Sequence, residues 1–223
     1  MTLRLFQKKE CRTLTVRSWL ILITIALAIL LTLICKLHSF LAISEPLPAE
    51  ILVVEGWMPD YCMQIARTEF NTGKYRLLVT TGEPVIYGYY LTDYKNHAQI
   101  AAATLCKMGF DSTLVIAVPG NGVEKDRTYA SAMALRNWLK NSNSNVHAVN
   151  LLSLGPHARR SRLIFQKALG DGIKVGVIAA KNLSYDENNW WRTSNGVRTV
   201  LAEAIGYVYA KFFFFPKPPE NYN

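Results

Sequence analysis

Short, uninterrupted apolar runs alternate along this chain with longer stretches in which apolar residues recur every three or four positions. The runs ILVVEGW (51–57), RLLVTTG (76–82), TLVIAVPG (113–120), VHAVNLLSLG (146–155) and GIKVGVIAA (172–180) read as strands buried on both faces. The stretches 59–73, closed by Gly73, 92–109, 126–140, with Asp126 as N-cap, and 157–170 read as amphipathic helices between them. The last element, Asn188 to Phe214, is largely apolar but holds Glu203, Lys211, Gly196 and Gly206. It reads as a helix packed on the domain rather than a membrane span. The pattern predicts an α/β domain with a mostly parallel five-stranded sheet covered by helices on both faces.

One run is of a different kind. From Ser18 to Cys35 the chain carries no charge, and such a helix is about 27 Å long, close to the roughly 30 Å hydrocarbon core of a bilayer. An uncleaved anchor is favoured over a cleaved signal peptide, because the run exceeds a signal peptide's apolar region and no A-x-A site follows. Arg4, Lys8, Lys9, Arg12 and Arg17 precede it against a single acid, Glu10, and Lys36 is the lone basic residue just beyond. The positive-inside rule then places residues 1–17 in the cytoplasm as a tail. The expected organisation is an anchor over 18–40, a linker over 41–48, an extracytoplasmic domain over 49–215 and a tail over 216–223, in a bacterial plasma membrane crossed once.

Composition changes little except through charge. The chain has 25 Lys and Arg against 16 Asp and Glu, a net charge of +9. Five of those charges belong to the tail and anchor, so the domain is only mildly basic. Neither its charge nor any motif indicates nucleic-acid binding; a local basic cluster facing an anion fits better. No metal-ligand spacing is present. Outside the anchor and tail, which hold Cys11 and Cys35, Cys62 and Cys106 remain, as one disulfide or as two buried thiols.

In a parallel sheet, ligands bind beyond the carboxyl ends of the strands, where helix N-termini gather. Those ends here are Glu55-Gly56-Trp57, Thr80-Thr81-Gly82-Glu83, Pro119-Gly120-Asn121-Gly122 and Gly155-Pro156-His157, joined by Asp126, Arg127 and Thr128. The Thr81-Gly82 turn offers a hydroxyl and backbone N–H groups to a phosphate, and is equally a plain tight turn. Glu55, directly after ILVV, is a carboxylate expected to be partly buried, which is costly unless it is paired or does chemistry. His157 has an ordinary pKa suited to proton transfer, or serves as a helix-start turn residue.

The segment HARRSR poses a problem of its own. Arg159, Arg160 and Arg162 fall in the first turns of a helix, where each cation costs roughly 0.3–1 kcal/mol against the helix dipole. An anion at that helix start, gripped by Arg160 with Gly155 in the turn beside it, reverses the sign. Alternatively Arg159 and Arg162 face solvent or pair with surface acids. Trp191, with Trp190 and Arg192, is either a wall over the crevice or buried area. The FFFF run at 212–215 either packs on the core or touches the bilayer surface.

The anchor, VVEGW, TTG, DRTYASA, the H-x-x-R-small pattern of His157, Arg160 and Ser161, and WWR together resemble the DUF218 family over roughly residues 49–210. The resemblance implies a Rossmann-like three-layer α/β sandwich and a role in the bacterial envelope: barrier integrity, peptidoglycan or lipid-carrier metabolism. It maps the family's polar set onto Glu55, Thr81, Gly82, Thr128, His157 and Arg160. Two departures stand out. Glu-Gly-Trp replaces a glycine-rich turn after the first strand, and Thr128-Tyr129-Ala130-Ser131-Ala132 replaces T-x-E-N-A after the third. An activity resting on that Glu-Asn pair is not carried over, and Glu55 stands as the substitute acid.

The reading from sequence is a membrane-anchored α/β domain that binds a small phosphate-bearing, lipid-linked or otherwise anionic envelope metabolite, and is open to hydrolysing or transferring it. Glu55 and His157 are its candidate catalytic residues; Thr81, Gly82, Arg127, Thr128, Gly155, Arg160 and Trp191 are its candidate binding residues. The alternative is a non-catalytic module that recruits envelope-biogenesis proteins, favoured by the absence of a G-x-S-x-G elbow or Walker loop. No cofactor is assigned, and the lack of G-x-G-x-x-G argues against a dinucleotide.

Overall fold

A computed structural model of the chain describes residues 14–123, 125–142 and 145–216. It divides into two units, Met1–Lys36 and Leu37–Asn223. In the first, helix α1 (Val16–Leu41) begins, with nearly all its side chains on its surface as far as Lys36. At 26 residues it is long and apolar enough to cross a membrane by length and composition. Most of the expected tails, residues 1–17 with Cys11 and 216–223, lies outside the described residues.

The second unit is built on strands β1 (Ile51–Glu55), β2 (Leu77–Gly82), β3 (Val115–Pro119), β4 (Ala148–Leu154) and β5 (Lys174–Ala180). All are parallel, in the order β3-β2-β1-β4-β5. The chain lays strands outward on one side of β1, then returns to lay β4 on the other side. Strand order therefore reverses between β1 and β4, and a crevice opens beyond their carboxyl ends.

Strand alternation decides what faces that crevice. Leu52, Val54, Leu78 and Leu152 pack with Met63 and Ala66 of α2 (Asp60–Thr72) and Ala101 and Leu105 of α3 (His97–Lys107). Ile51, Val53, Val79, Val149 and Leu151 pack with Leu135 of α4 (Arg127–Asn141) and Phe165 of α5 (His157–Leu169). Successive side chains point to opposite faces, so the same parity sends Glu55, Thr81 and Ser153 to the α4/α5 side. A short 3₁₀ helix (Glu187–Arg192) and α6 (Ser194–Phe212), which packs on α5, complete the unit.

Residues 42–50 are pinned to the sheet before β1 starts. Glu45 makes an antiparallel bridge to Val177. Asn150, buried in β4, accepts from Leu47 N–H at 2.9 Å and donates to Leu47 O and to the Tyr75 hydroxyl, each at 2.8 Å. A Cβ on Gly176 would stand 2.1 Å from Asn150 Oδ1, so glycine is required opposite this side chain.

Several elements differ from expectation for local reasons. The first strand ends at Glu55, because Gly56 and Trp57 enter the turn toward α2. The second helix starts at His97 instead of 92, where Asn96 caps it by accepting from Gln99 N–H at 2.8 Å. Asp126 occupies the cap position of α4 but is left-handed (φ 56°) and makes no capping hydrogen bond. Gly73 does close α2, in extended rather than left-handed backbone. Cys62 and Cys106 are free thiols, so the disulfide alternative is not realised.

Replacing Asn150 by leucine removes three hydrogen bonds, leaving the Leu47 amide and carbonyl unpaired. The expected loss is about 2–3 kcal/mol, read as a fall in Tm of roughly 5–10 °C for a chain of this size. An unchanged melting curve would contradict the pinning role.

Candidate functional site

Beyond the ends of β1 and β4 lies a cavity of about 430 Å³. Its floor is Glu55, Thr81 and Gly82, one side is the start of α4 with Arg127 and Thr128, another is His157 and Arg160 of α5, and α6 contributes Glu203 and Gly206. Glu83, Asp126 and Trp57 also line it.

Glu55 is buried at the end of β1, in register with Thr81. Its Oε2 accepts from the Ser153 hydroxyl and its Oε1 from the Ser161 hydroxyl, the latter at 2.9 Å. His157 Nε2 stands 3.5 Å from Glu55 Oε1, an ion-pair distance without a formed hydrogen bond. The other ring nitrogen, Nδ1, is 2.9 Å from Glu203 Oε1. Arg160 grips the same carboxylate with two donors, Nε to Oε2 at 2.7 Å and Nη2 to Oε1 at 3.1 Å. Trp57 packs edge-on against the His157 ring, centroids 5.2 Å apart.

These contacts fix the protonation states. Burial opposes charge on His157, but the Glu55 carboxylate and then the hydrogen bond to Glu203 outweigh it, and the imidazole pKa rises to about 9. Burial likewise opposes charge on Glu203, and the hydrogen bonds from His157 and Arg160 hold it down at about 2. Glu55 is lowered as well: burial pushes it up, and His157 with the two serines more than offsets this. At neutral pH the ring is an imidazolium with a carboxylate at each nitrogen. Arg160 Nη2 lies 2.9 Å from Nδ1, but with Nδ1 protonated its bonds go to Glu203.

The arginines of HARRSR are thereby accounted for. Arg160 is paired with Glu203 inside the cavity wall. Arg162 pairs with Glu45 and donates to Val175 O at 3.0 Å. Arg159 donates to Phe40 O and lies over the Phe40 ring, 4.0 Å from its centroid. Protein partners offset the dipole penalty at all three, so the anion proposed at this helix start is not what holds them there.

The start of α4 is different. Its cap residue Asp126 provides no side-chain acceptor and is the one non-glycine residue with positive φ among the described residues. The first-turn N–H groups of α4 accordingly carry the positive end of its dipole toward the cavity. Arg127 stands at the mouth, more than half exposed and 3.1 Å from Glu83. Two buried donors of the cavity wall, Thr81 Oγ1 and His157 Nε2, have no hydrogen-bond partner.

Seven sequence candidates, Glu55, Thr81, Gly82, Arg127, Thr128, His157 and Arg160, converge on this cavity. Two do not. Gly155 (φ 47°) serves the β4–α5 turn, donating to Ala180 O at 2.7 Å. Trp191 packs edge-on against Trp190 and does not line the cavity. Sequence reading missed Ser153, Ser161 as a Glu55 partner, and Glu203. The available signal for Glu203 was a lone acid in an apolar helix, on the same face as Val200, Gly206 and Ala210, which costs energy unless a cation faces it. Gly206 lets Arg160 cross α6: a Cβ there would lie 3.0 Å from Arg160 Cδ.

Both serine hydroxyls donate to Glu55, so neither is set up as a nucleophile activated by His157. Among the described residues no three His, Cys, Asp or Glu side chains are arranged to hold a metal ion. Comparison with protein-family models and with curated proteins finds no match. The arrangement can donate protons and hydrogen bonds to an acceptor-rich ligand.

Because the folded pKa of His157 exceeds its ordinary 6.5, its stabilisation is complete below about pH 6.5 and is lost as pH rises through about 9. Glu203 behaves oppositely, its contribution being complete above pH 4.5 and lost toward pH 2. Denaturation of the full-length chain in detergent should therefore show stability falling by on the order of 3 kcal/mol between pH 6.5 and 9. A His157→Gln variant, less stable throughout, should lack this slope; an equal slope in both proteins would remove His157 as its source.

Proposed function

We propose that the cavity binds a phosphate-bearing or similarly anionic cell-envelope metabolite, with the anion at the start of α4 between Arg127, Thr128 and the Thr81-Gly82 turn. The observation that carries this reading is the buried Thr81 hydroxyl without a hydrogen-bond partner in the cavity wall, beside His157 Nε2, which has an ion-pair contact of 3.5 Å to Glu55 Oε1 but no formed hydrogen bond. The hydroxyl lacks a partner and the imidazolium N–H has only that long contact, and the dipole and amides of α4 favour the oxygens of an anion.

His157 is the proton donor in this reading, since it is held charged, and Glu55 is the base that keeps it so. Arg160 positions Glu203 rather than the ligand. Hydrolysis or transfer at the site would use His157 as general acid toward a leaving oxygen. α1 serves as a single-pass anchor in a bacterial plasma membrane, with the basic N-terminal segment inside and the α/β unit outside. The likeness to the DUF218 family and its envelope role belong to the same proposal.

Thermal shift of the full-length protein in detergent tests it, with inorganic phosphate and pyrophosphate as ligands. A ligand at one hundred times its Kd stabilises by about 2.7 kcal/mol. Stabilisation of the wild type that weakens at least tenfold in affinity on Thr81→Val and on Arg127→Ala is the expected result. Shifts that are equal in all three proteins would place the anion elsewhere. No shift with either anion would leave the non-catalytic recruiting module as the better reading.

A further inference from the structure

The cavity has two ends of unlike chemistry. Where the strands stop, its wall is charged and hydroxylic, with Glu55, Thr81, Arg127, Thr128 and His157. Its remaining wall includes Tyr129, Ile164, Tyr209, Ala210 and Phe214, which carry no charged group and take no part in holding an anion. Ile164, Ala210 and Phe214 are buried, whereas Tyr209 is half exposed.

The helices that frame the cavity carry it from one end to the other. α5 and α6 lie side by side and run in the same direction: His157 meets Glu203 near their starts, and Lys167 Nζ donates to Ala210 O at 2.7 Å and to Phe214 O at 2.6 Å near their ends. On α5 the lining residues are His157, Arg160 and Ile164, and on α6 they are Glu203, Gly206, Tyr209 and Ala210. Each set follows one helical face, polar first and apolar one to two turns later. Between Glu203 and Ala210 α6 rises about 10 Å. The far end is bounded by aromatic rings, for Phe214 lies edge-on to Tyr129 with centroids 5.3 Å apart and stands 6.3 Å from Tyr209. The apolar end is therefore a short groove, about 10 Å long, that opens onto the polar end.

Ligand chemistry follows from this division. A polyol esterified to the anion would press its hydroxyls against Ile164, Ala210 and Phe214, where the phenols of Tyr129 and Tyr209 offer the polar atoms, and a buried hydroxyl without a partner is costly. An apolar substituent has the opposite balance, since each methylene withdrawn from water raises affinity roughly fourfold. Pockets of a few hundred Å³ ordinarily combine apolar walls with a few polar groups that fix orientation, and this cavity has both.

We infer that the cavity takes a phosphate monoester of a short apolar or aromatic alcohol, its phosphate at the start of α4 and its apolar group in the groove between α4, α5 and α6 bounded by Tyr129, Ile164, Tyr209, Ala210 and Phe214. The inference rests on the anion reading of the α4 start and adds to it the nature of the group the anion carries.

Titration calorimetry of the full-length protein in detergent tests it, with inorganic phosphate and with methyl, butyl, hexyl and glycerol phosphates. The expected result is affinity that rises at least tenfold from methyl to hexyl phosphate, with a heat-capacity change that becomes more negative along the series, while glycerol phosphate binds no better than methyl phosphate. Tyr209→Ala, at a half-exposed position, should weaken hexyl phosphate several-fold more than methyl phosphate, and binding of methyl phosphate shows that the variant is folded. Equal affinities for inorganic phosphate and all the esters overturn the inference and leave the anion reading standing. Tighter binding of glycerol phosphate than of butyl phosphate overturns it in favour of a polyol. A rise with chain length that is unaltered by Tyr209→Ala places the apolar group outside the groove, in the micelle or elsewhere, and overturns it as well. No binding of any of the five removes both.

Discussion

The buried carboxylate of Glu55 is the constraint on which the site depends. Moving an ion of this kind out of water costs several kcal/mol even after relaxation, and removing a partner from a buried pair is more damaging than never having had the pair. Glu55 therefore dictates its surroundings. It takes hydroxyl protons from Ser153 on β4 and Ser161 on α5, and it needs His157 charged. A charged His157 in turn requires Glu203, and a buried Glu203 requires Arg160. The sequence of alternating charges links β1, β4, α5 and α6 through one connected set of contacts, so the position of each element is a condition on the protonation of the others.

This arrangement separates two roles that arginine-rich helix starts are often given together. The cations of HARRSR complete the protein's own charge balance, one inside the cavity wall and two against the segment that precedes the sheet. Positive potential left over for a ligand comes instead from backbone: the first turn of α4, behind an aspartate in the left-handed region that gives it no side-chain cap. Non-glycine residues persist in that conformation when the surrounding structure over-determines them, and such positions cluster at functional sites.

Much of the fold was legible because its determinants are local. Strands buried on both faces leave continuous apolar runs such as ILVV and GVIAA, and two-residue parity places Glu55, Thr81 and Ser153 on one side whatever the loops do. The boundaries that failed depended on individual side chains. Asn96 starts a helix late by offering an acceptor at one amide, and Asp126 declines to cap. Glu55 and His157 were visible because a polar residue ending an apolar run, or opening a helix after one, is a local anomaly. Glu203 was visible as an acid out of place, but its meaning was not, because the cation it answers lies 43 positions earlier. Pairings over such distances are set by how α6 folds back onto α5, which no window of sequence contains.

That separation along the chain has a consequence for biogenesis. A polypeptide emerges from its N-terminus, so all five strands and both cations of the site are made before Glu203 exists. Until α6 arrives, Arg160 has no carboxylate partner and His157 faces that of Glu55 alone. The strands and the cations of the site are thus complete along the chain before the acid that answers them, and the charge pattern of the wall is closed by the last helix.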